Sequence, residues 1–160
     1  MSRPILAVDV DGVISLFGFE DPPDKGSTRF RLVDGSVHCI SLRAGNRLLR
    51  LAEHYDLLWA SGWEDKANYY LPEMLGLPEL PHLTFDGAAV FGSAHWKLGP
   101  LDAYGKGRAL AWIDDNFDAS CYEWARSRPE PTLLVPTEPH RGLEEAETEA
   151  LIAWAAGLDS

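Results

Sequence analysis

The chain has 160 residues, with 14 Lys+Arg against 25 Asp+Glu and a net charge of −11, a size that predicts one domain over 1–160 needing no disulfide or structural metal. Hydrophobic residues at 46% and charged residues at 24% exclude a disordered or collagen-like chain, and the acidic balance opposes non-specific adhesion to nucleic acid or an anionic membrane. No apolar run approaches the roughly 20 residues of a membrane span, and MSRPILAVDVDG carries acids where a signal peptide would be apolar, so a soluble cytoplasmic protein with no membrane partner is expected.

Ile5 to Val10 is a short apolar run of the kind seen in a strand covered on both faces, and it stops at Asp11-Gly12. Residues 15–27 are rich in Gly, Pro and Asp. Thr28–Leu32 and Ser36–Leu42 then flank an Asp34-Gly35 turn, which predicts a β-hairpin flap over about 15–42. Leu42, Leu48, Leu49, Leu51 and Ala52 recur at helical spacing, and Tyr55–Ala60 reads as a second strand closing on Ser61-Gly62.

Glu64–Leu75 predicts a helix that Pro72 kinks or ends one turn early. His82–Phe85 reads as a third strand, Lys97–Tyr104 as a short helix interrupted by Gly99-Pro100, and Ala109–Ile113 as a fourth strand ending in Asp114-Asp115-Asn116. A helix at about 118–127, a strand over Thr132–Val135 and a terminal amphipathic helix with Leu143, Ala146, Ala150, Leu151, Ala153 and Trp154 on one stripe complete the chain. The alternation predicts an α/β, three-layer Rossmann-like fold: a mainly parallel five-stranded sheet, helices on both faces, and the hairpin flap after the first strand.

Chemistry-bearing residues fall at the carboxyl ends of these strands: Asp9 and Asp11 after the first, Ser61 after the second, Asp114 and Asp115 after the fourth, with Lys97 opening a helix between. A lone pair of aspartates at a strand end is more often a turn or cap than a site. Several carboxylates converging in one crevice repel unless a cation or protons compensate, and a hard divalent ion with oxygen ligands is the natural solution.

The ordered set ILAVDVDG, LLWASG, HWKLG and LAWIDDN, spanning residues 5 to about 118, resembles the haloacid dehalogenase-like superfamily. WASGWEDKAN with WIDDN is similar to the small, capless branch described as the domains of this type in Swiss-army-knife RNA repair proteins. The resemblance implies that Asp9 is a nucleophile taking the phosphoryl group as an aspartyl-phosphate, and that Asp11 is the general acid and base. It implies Mg²⁺ held by Asp9, the backbone carbonyl of Asp11 and Asp114, with Asp115 acting through water or behind the ligands. Ser61, with Gly62 beside it, would bind a phosphoryl oxygen, and Lys97 would neutralise the phosphate and Asp9.

In that superfamily a carboxyl two residues after the nucleophile accompanies phosphatases and phosphomutases, so a phosphomonoesterase is expected. A chain without a full cap points by analogy to a phosphorylated RNA or DNA end, against which the net charge argues; a nucleotide is the other substrate expected. The alternatives are a phosphotransferase to an acceptor other than water and a non-catalytic interaction module of the same fold. A response-regulator receiver also gathers acids, Ser/Thr and Lys, but there the paired acids follow the first strand; here the order is reversed.

Other residues carry blander expectations. Trp59 reads as core, while Trp63 could border the site and stack on a base. The five histidines have no metal-ligand spacing, Cys39 and Cys121 read as reduced core thiols, and Arg29, Arg31 and Arg43 read as a solvated face. Without its motif context, Ser61 would be a helix cap and Lys97 a surface charge.

Overall fold

A computed structural model describes residues 3–85 and 95–158. In chain order the elements are β1 (Ile5–Val8), β2 (Ser15–Leu16), β3 (Thr28–Val33), β4 (Ser36–Ser41), α1 (Leu42–Leu51), β5 (Asp56–Trp59), α2 (Lys66–Leu75), α3 (Leu98–Tyr104), β6 (Leu110–Asp114), α4 (Ala119–Ser127), β7 (Thr132–Pro136) and α5 (Glu145–Gly157). The chain is α/β, with a parallel sheet of order β5-β1-β6-β7 and a separate antiparallel sheet of order β2-β4-β3.

Every residue of β1 is buried, because it pairs in parallel with β5 on one side and β6 on the other. Its side chains alternate between two cores, as a period of two requires. Leu6 and Val8 pack with Leu48 and Leu51 of α1, Leu71 of α2 and Leu151 of α5. Ile5 and Ala7 pack with Leu101 of α3 and Cys121 of α4. Helices therefore cover both faces of the sheet.

The parallel sheet has four strands among the described residues, where five are expected from the sequence. The expected strand at His82–Phe85 is reduced to one bridge, His82 against Trp59, with Leu83 N–H donating to the Trp59 carbonyl. Pro81, whose carbonyl accepts from Trp59, has no N–H to lengthen the ladder upstream.

The hairpin forms at the expected Asp-Gly turn. Asp34 and Gly35 both take positive φ, 49° and 86°, the two left-handed residues of a type I′ connection whose twist matches that of the strands. An unexpected short strand, β2, adds Ser15 and Leu16 to the other edge of β4. Ser41 N–H donates to the Ile14 carbonyl, tying the flap to the loop after β1.

Two prolines sit differently from expectation. Pro72 lies inside α2 without ending it; the helix instead starts at Lys66, two residues late, and closes on Gly76 in the left-handed conformation. Pro100 falls in the first turn of α3, where backbone N–H groups have no intrahelical partner and a missing one costs little. In α5 the buried residues are Thr148, Leu151 and Ala155, whereas Ala146, Ala150 and Ala153 of the expected stripe are exposed. Thr148 is accommodated because its hydroxyl donates to the Glu144 carbonyl. Cys39 and Cys121 are free and buried, as expected. Among the described residues no helix is long and apolar enough to cross a membrane.

Candidate active site

In a parallel sheet all carboxyl ends lie on one side, and β5, β1 and β6 are direct neighbours. Asp9 follows β1 directly and its N–H donates to the Ile113 carbonyl on β6, while Ala60 N–H, at the end of β5, donates to the Val8 carbonyl. These ladder bonds align the loops carrying Asp9, Ser61 and Asp114-Asp115. Asp9, Asp114 and Asp115 each offer a carboxylate oxygen within 4.8 Å of the others.

Lys97 completes the cluster. Its ammonium lies 3.0 Å from Asp9 Oδ1 and 2.6 Å from Asp114 Oδ2, and the side chain is only 3% exposed, so the surface-charge reading does not hold. His95 supports it: Lys97 N–H donates to His95 Nδ1 at 3.2 Å, and His95 Nε2 lies 2.9 Å from the Asn116 carbonyl. Since Nδ1 accepts and Nε2 faces a carbonyl oxygen, the ring proton is assigned to Nε2. The imidazole thus links the start of α3 to the loop after β6.

With all four groups ionised, three carboxylates and one ammonium leave a charge of −2. Burial pushes the Asp9 carboxyl well above the usual range, Lys97 opposes that, and Asp114 adds to it. Burial also raises Asp115, to about 6, with help from the Asp114 charge. Burial alone would press the Lys97 ammonium down, but the facing Asp9 and Asp114 carboxylates hold it above the ordinary lysine value. These directions describe a pocket short of positive charge.

The residues fit a hard divalent cation: all donors are carboxylate oxygens, and two oxygens bound to one such ion are separated by at most about 4–5 Å. Gly12 is required beside them. It has φ +81°, and a Cβ there would collide with the Asp115 carboxyl group.

Ser61 is 1% exposed, and its Oγ accepts from Trp63 N–H at 3.1 Å. It therefore shapes the turn after β5 rather than capping α2, and the hydroxyl proton remains to be donated. Gly62, on the same turn, is exposed, and a Cβ there would meet only the Trp96 ring, in ordinary contact.

Asp11 does not join the other acids through its carboxylate. Its side chain, 53% exposed, accepts from Trp63 Nε1 at 3.2 and 3.3 Å and lies 3.8 Å from His38 Nδ1. Trp59 is core, as expected, with its indole N–H on Asn68. His38, Trp63 and His95 thus acquire neighbours that sequence spacing did not signal, because His38 arrives from the flap and His95 acts on a backbone carbonyl. Two cavities, of about 640 and 870 Å³, lie beside the flap and at the amino ends of the strands; no residue of the acidic cluster lines either. No protein-family model and no curated protein matches the chain.

Proposed function

We propose that the protein is a Mg²⁺-dependent phosphomonoesterase of the haloacid dehalogenase-like type, acting on a terminal phosphate of RNA or DNA or on a nucleotide. One observation carries the reading: a lysine buried between two aspartates at the ends of adjacent parallel strands, with a third aspartate in reach. A surface turn has no use for such an arrangement, whose uncompensated charge opposes folding. Phosphoryl transfer does, since its catalysis is mainly positioning and charge stabilisation.

In this mechanism an Asp9 oxygen attacks phosphorus while Asp11 donates a proton to the departing ester oxygen, giving alcohol and Asp9-phosphate. Asp11, now ionised, takes a proton from water, whose oxygen attacks phosphorus and releases phosphate and the Asp9 carboxylate. Lys97 stabilises charge on Asp9 and the phosphoryl oxygens, and the Ser61 hydroxyl donates to one of those oxygens. Asp9 and Asp114 would hold Mg²⁺ with Asp115 beside them, and the ion would neutralise phosphate charge.

The test is phosphate release with Mg²⁺ or EDTA from an aryl phosphate, nucleotides and 3′- or 5′-phosphorylated oligonucleotides, by wild type and Asp9→Asn. Metal-dependent release that falls at least about 10³-fold in the variant is expected, as for loss of a nucleophile. Release unchanged in Asp9→Asn, or none from a folded wild type, would sink the proposal.

A further inference from the structure

Asp11 sits on a chain reversal, next to Gly12 in the left-handed conformation, and half of its side chain faces solvent. A carboxyl so placed would rotate among several rotamers, only some of which aim an oxygen at a leaving group. Here it is held. Trp63 Nε1–H donates to both carboxylate oxygens, at 3.2 and 3.3 Å. The indole is itself fixed: its backbone N–H donates to Ser61 Oγ, and its ring meets His38 edge-on at 4.8 Å and Tyr70 at 6.4 Å. His38, brought in by β4, is 2.8 Å from Ser15 Oγ through Nδ1 and 3.8 Å from Asp11 Oδ1. The residue two positions after Ser61 thus grips the acid two positions after Asp9.

We propose that Trp63 is a positioning residue for Asp11, with His38 holding the indole in place, and that the pair sets how well Asp11 delivers its proton to a poor leaving group. This rests on the phosphatase reading above. The chemistry of the partner supports it. An indole N–H donates and cannot accept, so the proton of a neutral Asp11 finds no acceptor on Trp63, and His38 Nδ1, at 3.8 Å, is beyond hydrogen-bond distance. A hydroxyl or amide in the same place would accept that proton and compete with the leaving oxygen.

The experiment compares kcat/KM, which reports steps up to the aspartyl-phosphate, for an unactivated alkyl phosphate and for dinitrophenyl phosphate, whose leaving oxygen departs without a proton. Wild type, Asp11→Asn, Trp63→Phe and His38→Phe are measured; both Phe variants keep an aromatic ring in the packing. Trp63→Phe is expected to lose about tenfold or more on the alkyl phosphate, part of what a positioned proton donor contributes, while staying within about twofold on dinitrophenyl phosphate. His38→Phe should show a smaller selective loss, and Asp11→Asn the largest.

Equal losses on both substrates would mean that Trp63 only supports the fold, and no loss would mean that it does nothing for Asp11. Either overturns the inference while leaving the phosphatase reading intact. Absence of any wild-type turnover would remove both. An NMR readout needs no activity: the indole N–H resonance that disappears in Trp63→Phe should move when Asp11→Asn replaces one of its two acceptor oxygens with an NH2 group, and an unmoved resonance would show that the hydrogen bond is not formed.

Discussion

With Asp115 raised by burial and by Asp114 to about 6, the folded protein keeps a proton there over a range in which the unfolded chain, near the ordinary 3.8, has released it. At this site the folded state then binds more protons than the unfolded one, so the contribution of Asp115 to stability falls as pH rises from about 4 to about 6 and is level above that. In EDTA, thermal unfolding of wild type should lose ground to Asp115→Asn across that window, by about 1 kcal/mol once partial exposure is allowed for. A difference independent of pH would show that Asp115 does not titrate there. Gly12→Ala tests the same corner sterically, because its Cβ would enter space held by the Asp115 carboxyl. A weaker Mg²⁺ affinity by calorimetry is expected, along with a lower melting temperature, and an unchanged affinity would refute the dependence of Asp115 on Gly12. Residue identity in order along the chain was enough to nominate Asp9, Ser61, Lys97, Asp114 and Asp115, since parallel strands bring their carboxyl ends together whatever lies between them. Trp63, His38 and His95 were harder to read, because their roles depend on contacts such as flap to strand end that no local spacing encodes.

Elements show the same division. A hairpin was legible at Asp34-Gly35 because the turn type dictates its residues, and the backbone there, with Gly35 at φ 86°, adopts what the dipeptide favours. Gly35→Ala has open space for its methyl, so its penalty is conformational alone, about 1–2 kcal/mol. It should appear as faster amide exchange in β3 and β4 with little change in β1, and equal acceleration everywhere would mean that the flap does not open separately. The salt bridge from Lys66 to the Asp34 carboxylate at the hairpin tip is exposed on both sides and contributes little against this. The reduction of the fifth strand was not legible, because a short segment such as His82–Phe85, with Leu83 and Phe85 alternating, reads alike whether it makes a ladder or one bridge, and strand existence depends on partners far away in sequence. The buried face of α5 is hidden in the sequence for a related reason: alanine fits a buried or an exposed position equally well, and a threonine whose hydroxyl donates to the carbonyl four residues earlier passes as apolar.

Across the whole molecule the proposed chemistry meets an adverse field. The net charge is −11, the substrate is anionic, and the buried ammonium of Lys97 is already paired with two carboxylates, so at long range the protein repels what it is proposed to bind. Basic nucleic-acid binders lose affinity steeply as salt is added; here the sign is reversed. At fixed free Mg²⁺, kcat/KM for a phosphorylated oligonucleotide should rise about two- to fivefold between roughly 10 and 150 mM monovalent salt, as the screening length shrinks from about 30 to about 8 Å. A small aryl phosphate carries less charge and should respond less. The exposed flap offers a specific way for this to fail. Arg31 lies over the Tyr70 ring and is paired with His38 across the hairpin, with Arg29 two residues away. If those guanidinium groups captured the strand, activity on the oligonucleotide would fall with salt while the aryl phosphate stayed level, and Arg29→Ala with Arg31→Ala would restore the rise. The direction of the salt effect therefore separates a substrate held by its phosphate alone from one held along its backbone.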